Sequence, residues 1–147
     1  MMNTEILEKV AQWLEAGAPH EQSGGMGFHM GWLTTELSTV LECSDRELDP
    51  WVSPSCGTVG CIAGAVVQFT RGSSLGYEDL AHEANKIIGG NTYLDGTYSL
   101  FYPADLYHED GREGYYATPQ EAAVAVRHFM VHQDGVSAWD AAGFSRR

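Results

Sequence analysis

A single, mainly helical domain of four or five helices, with room for one small β-hairpin, is the fold class that this sequence predicts. Three observations carry the prediction. A chain of 147 residues suits one compact body, and a body of that size buries roughly two thirds of its unfolded surface. An apolar fraction of 44%, with Trp13, Trp32, Trp51 and Trp139 spread along the chain, supplies a core in spite of a net charge of -12. Apolar residues also recur at helical spacing in several separate segments. No internal repeat or interdomain linker interrupts the pattern, so residues 1–147 read as one domain with a short tail from about 136.

The first helix is read from NTEILEKVAQWLEAG, where Ile6, Leu7, Val10, Trp13 and Leu14 share one stripe. Asn3 or Thr4 caps it, and Gly17 with Pro19 stops it. The glycines and small polar residues of His20–Gly27 mark a loop. Leu33, Leu37, Val40 and Leu41 then suit a short helix. Between Pro50 and Tyr77 no acidic residue occurs, and Arg71 is the sole base. Within that stretch TVGCIAGAVVQF is apolar on every face, as a buried helix would be, with two strands meeting at a glycine as the alternative. A further helix follows from Ser73 or Ser74, inward through Tyr77, Leu80, Ala81, Ala84, Ile87 and Ile88 and ended by Gly89 and Gly90. Thr92–Leu94 and Thr97–Leu100 flank Asp95 and Gly96 as a two-residue hairpin. In TPQE, Thr118 caps, Pro119 opens and Glu121 closes a capping box for a helix to about Gln133. Trp139 and Phe144 are the anchors available to the tail.

Charge excludes several functions. Eight basic residues face twenty acidic ones, and Lys9 and Lys86 are the only lysines. Direct nucleic-acid binding is not expected, because it needs clustered cations that displace counterions, and an anionic membrane is disfavoured for the same reason. The apolar run around Ile62–Val67 is far shorter than the roughly 20 residues of a membrane span, and the first residues show no secretory signal. Three cysteines, Cys43, Cys56 and Cys61, fit a reducing compartment better than a disulfide framework, so cytoplasm is the expected location.

No cofactor is implied. Four residues separate Cys56 from Cys61, and Cys43 lies further upstream, which is not the spacing of a thiolate metal site or a redox dithiol. Core packing is the plainest role for both thiols. The enzymatic alternative makes Cys56 or Cys61 a nucleophile, with His82, His108 or His128 as its base. His128 and His132 sit four apart and give an alternative metal pair, although the inward stripe of their helix lies on nearly the opposite side.

The segment CGTVGCIAG, Cys56–Gly64, together with Phe28, Met30 and Trp32 before it and Leu100, Phe101 and Pro103 after it, resembles a family of small, largely uncharacterised proteins of bacteria and their phages. Those proteins carry a CGTxxCxAG motif. Trp32 is one position closer to Met30 than in the family pattern, and Gly60 stands where alanine is more usual. The resemblance implies a small helical fold and a bacterial or viral setting, and it carries over no activity.

The remaining signal is the tyrosine-rich acidic stretch from Tyr98 to Tyr116, where tyrosines offer rigid contact area with a polar end. Tyr102, Asp105, Tyr107, Glu109 and Asp110 are the expected contact residues. The function expected is that of a small acidic protein-binding module for a basic surface of a host or phage protein, such as an inhibitor carried by a phage against a host defence factor. A homo-oligomeric subunit is a third reading.

Overall fold

The computed structural model describes residues 2–30, 34–36, 58–89 and 96–146. Among them are six α-helices: α1 (Thr4–Glu15), α2 (Ile62–Arg71), α3 (Leu80–Gly89), α4 (Thr97–Phe101), α5 (Pro119–His132) and α6 (Gly135–Ala141). Five strands of three residues each accompany them: β1 (Met26–Phe28), β2 (Thr34–Glu36), β3 (Thr58–Gly60), β4 (Leu106–His108) and β5 (Phe144–Arg146). The mainly helical fold is therefore as the sequence predicts. No helix of the described residues is long and apolar enough to cross a membrane.

The stripe of α1 is buried along Ile6, Leu7, Val10, Trp13 and Leu14, and Asn3 caps the helix by accepting the Ile6 amide. Trp13 donates its indole N–H to the Pro19 carbonyl at 3.0 Å and meets Phe28 and Phe69 edge-on. Helix α5 packs along α1, with Ala122, Ala123, Val126 and Phe129 buried. Arg127 of α5 reaches back across this contact, bonding Glu15 through two nitrogens at 2.8 and 2.7 Å and Glu8 through the third. Helices α2 and α3 complete the core, and Gln68 of α2 bonds the Ser23 carbonyl and the Ser74 amide to seat two loops.

Several expectations change. The apolar segment TVGCIAGAVVQF is divided: Thr58–Gly60 pairs as the middle strand of β1–β3–β2, parallel to β1 and antiparallel to β2, and the helix begins only after Cys61, its N-cap. Thr58 is thus a strand residue, and the apolar run is not one continuous helix. Residues 34–36, read as part of a short helix, form β2, while Leu33, Leu37, Val40 and Leu41 lie outside the described residues. The hairpin at Asp95–Gly96 is replaced, since Thr97–Phe101 is α4; its first arm lies outside the described residues. Leu100 and Phe101 are both buried, so helical geometry puts adjacent apolar residues into one core where a strand would separate them.

The expected tail is ordered as α6 and β5. Trp139 and Phe144 are its anchors, both fully buried, and the Trp139 indole donates to the Leu100 carbonyl at 2.9 Å. Asp134 caps α6 by accepting the Val136 amide. The helix can start there because Gly135 has no side chain: a Cβ on it would stand 2.2 Å from the Leu100 nitrogen and 2.5 Å from the Gly96 oxygen. Both neighbours are backbone and cannot swing away. Gly135→Ala is therefore expected to destabilise the fold by about 2 to 4 kcal/mol, measured as a lowered urea midpoint with Val136→Ala as an exposed control.

Candidate functional site

Strands β4 and β5 pair antiparallel, with Leu106 opposite Arg146, Tyr107 opposite Ser145 and His108 opposite Phe144. After His108 the chain reverses at once. The Gly111 amide bonds the His108 carbonyl at 2.9 Å, the His108 amide bonds the Arg112 carbonyl at 2.8 Å, and Gly111 has φ +94°. This is a tight turn followed by a left-handed residue, a conformation that favours glycine. Tyr107 also bridges to Glu113.

Arg112 leaves this turn and ties it to the start of α5. Its guanidinium forms a fork to Glu121 at 2.9 and 2.8 Å, donates to the Tyr116 carbonyl at 3.1 Å and bonds Asp110 at 2.8 Å. Glu121 simultaneously closes the capping box with Thr118. Burial alone would raise the Glu121 carboxyl, but the hydrogen bonds from Arg112 and Thr118 outweigh it and hold it below its ordinary value. Asp110 is also lowered, first by the backbone amide of Arg112 and then by its side chain. His108 stands between the two carboxylates, 3.2 Å from Asp110 and 3.5 Å from Glu121. Phe144 lies beneath them, edge-on to His108 and Trp139 and under the Arg112 guanidinium.

Above this base opens a cleft of about 450 Å³ lined by Tyr107, His108, Glu109, Asp140, Gly143 and Ser145. Gly143 has φ +98° and lies so close to His108 that a Cβ would stand 3.2 Å from the imidazole. Glu109 and Asp140 are exposed, and among the described residues no cation pairs with either. Arg112, the nearby base, is already shared between Glu121 and Asp110. Arg146 follows Ser145 in β5 and so projects from the other face of the strand. The arrangement offers two uncompensated carboxylates, a hydroxyl and a tyrosine ring, which together suit a guanidinium or ammonium group.

The contact residues expected from sequence divide into two places. Tyr107 and Glu109 line the cleft, and Asp110 does not, but it lies 3.2 Å from the lining His108 and is held by Arg112. Tyr102 and Asp105 do not line it. Tyr102 is exposed at the end of α4, stacked on Tyr98 with ring centres 6.2 Å apart, and burial followed by the influence of Cys61, Asp79 and Tyr115 raises its phenol. Asp105 sits in the connection to β4 with φ +60°. Sequence reading missed His108 as a cleft residue, and missed Arg112, Asp140, Gly143 and Ser145. The Asp110–Gly111 dipeptide was the available signal for the turn.

The thiol and histidine alternatives are placed as follows. Cys61 is buried at the start of α2, and burial pushes its thiol up to about 11, so it is protonated at neutral pH, whereas the thiolate is the nucleophilic form. Cys56 lies outside the described residues. His82 is exposed on the first turn of α3, where its amide bonds Asp79. His128 and His132 are neighbours on the outer face of α5, with ring centres 4.3 Å apart. No group of three or more metal-ligating side chains occurs among the described residues.

No family model, curated protein or solved structure matches the chain.

Two measurements follow from this geometry. Glu121→Gln keeps a side chain able to close the capping box but removes its charge, and is expected to cost about 1 kcal/mol at neutral pH. Because the folded carboxyl lies below its ordinary 4.5, its stabilisation is present above that value and fades as pH falls through the lowered one. Urea unfolding followed into the acid range should therefore fall less steeply for the variant than for the native protein. For Cys61, native thiol labelling followed by peptide mapping should find it protected, and Cys61→Ser should cost about 1 to 3 kcal/mol by placing a hydroxyl in the core.

Proposed function

We propose that this chain is a small acidic protein-binding module that docks a basic surface of another protein through the end of the fold where β4, β5 and α6 meet. The observation that carries the reading is the pair Glu109 and Asp140, which open onto one cleft and have no cationic partner among the described residues. A lysine or arginine entering the cleft would meet both carboxylates and the Tyr107 ring, in a chain whose net charge of -12 draws basic partners from a distance. Rim charges of this kind govern the association rate, while a half-buried ring such as Tyr107 governs dissociation. The resemblance of Cys56–Gly64 to the bacterial and phage family supports a setting in which the partner is a host or phage protein. Blocking a host protein, a defence factor among them, is the mechanism that fits so small a module.

The probe is a short lysine- and arginine-containing peptide titrated at low salt into labelled full-length protein. Resonances of Tyr107, Glu109, Asp140 and Ser145 should shift, and the shifts should disappear at high salt. With a protein partner captured on the native chain, Glu109→Lys together with Asp140→Lys should slow association about tenfold at low salt, converging on native behaviour as salt rises. Peptide shifts confined to another surface, or association unchanged by the double reversal at low salt, would remove the cleft as the docking site.

A further inference from the structure

We propose that His128 and His132 form a two-imidazole chelate for a borderline transition-metal dication, with Cu²⁺ the tightest. Positions four apart in the 14-residue helix α5 share a face, and the two rings already lie side by side with centres 4.3 Å apart and planes inclined by 37°. Metal–nitrogen bonds of about 2.0 to 2.1 Å place two adjacent donors about 3 Å apart, a spacing that rings in this arrangement reach by small torsional adjustment. The helix beneath them is fixed at its start by the capping box and along its length by the Arg127 clamp onto α1. Little ordering therefore remains to be done on binding.

The neighbouring residues prepare one of the rings. Ser137 Oγ stands 3.3 Å from both the Asp134 carbonyl and His128 Nε2, so while donating to that carbonyl it can accept a proton from the ring. In the tautomer that makes this bond the ring proton is on Nε2, and the lone pair is left on Nδ1. A histidine whose second nitrogen is held by a hydrogen-bond partner is the arrangement found in metal ligation generally. Asp134 is committed to capping α6 through the Val136 amide, and no group of three ligating side chains forms among the described residues, so water completes the coordination. The site is open and exchangeable, unlike a closed structural zinc site. Imidazole donors and the affinity order of divalent ions favour Cu²⁺, and the acidic surface concentrates dications near it. This inference is independent of the cleft between β4, β5 and α6.

The test is titration of the full-length protein with Cu²⁺ at neutral pH, read by calorimetry and by electron paramagnetic resonance. One site with two imidazole nitrogens is expected. His128→Ala and His132→Ala should each weaken it at least about tenfold and leave one-nitrogen spectra, whereas His82→Ala should bind as the native protein does. Circular dichroism should show both exposed-face variants folded. A native spectrum with a single imidazole, or single variants that bind as tightly as the native chain, would overturn the chelate.

Discussion

The fork between Arg112 and Glu121 is the interaction on which this end of the molecule depends. Five guanidinium N–H donors in a fixed plane suit bidentate partners, and here they are distributed among a helix-capping carboxylate, a carbonyl of the short 3₁₀ turn Gly114–Tyr116, and the carboxylate of the preceding turn. The two side chains of the fork are largely shielded, with 33% of Arg112 and 18% of Glu121 exposed. Their pairing therefore counts for more than that of a fully solvated pair. Through it the β4 turn, the approach to α5 and the first turn of α5 become one unit. The cleft adjoins that unit through His108, which packs edge-on against Phe144.

The same pairing explains how the fold turns composition into surface character. Arg127 binds Glu8 and Glu15, Arg112 binds Glu121 and Asp110, and Arg71 and Lys86 both face Glu83. Arg112 and Arg127 are thus spent on holding elements together, and some carboxylates are left with no cation among the described residues. Glu109 and Asp140 belong to that remainder, and they converge although 31 positions separate them in sequence. Topology, not sequence adjacency, brings these two carboxylates to one cleft.

Helices with a complete apolar stripe were legible in the sequence because each residue's fate depends on its own neighbours: α1 and α5 appear with their caps, Asn3 and Thr118 with Glu121, where propensity places them. The three-residue strands were not legible, since pairing and not periodicity defines them. Thr58–Gly60 merges into an apolar run, and β4 finds its partner nearly forty residues away at Phe144–Arg146. The Asp-Gly dipeptide read as the hairpin turn is Asp95–Gly96. Asp110–Gly111 makes the turn beside strand residues, whereas the one ending in Gly96 leads into α4, whose buried Leu100 and Phe101 need helical geometry. Tyr107, Glu109 and Asp110 could be singled out by composition alone. Asp140, Gly143 and Ser145 could not, because only the docking of α6 through Gly135 and Trp139 carries them to the same place.

Native-state hydrogen exchange on Arg112→Met tests the central claim most directly, that one arginine holds the turn, the 3₁₀ segment and the helix start as a unit. The amides of His108, Gly111 and Tyr116 each bond within that unit, to Arg112, His108 and Glu113 respectively. The expected result is faster exchange at these three amides and across β4 and β5, with α1 and α2 changed far less. Unchanged protection at the three amides, or an equal loss across every element of the fold, would contradict it.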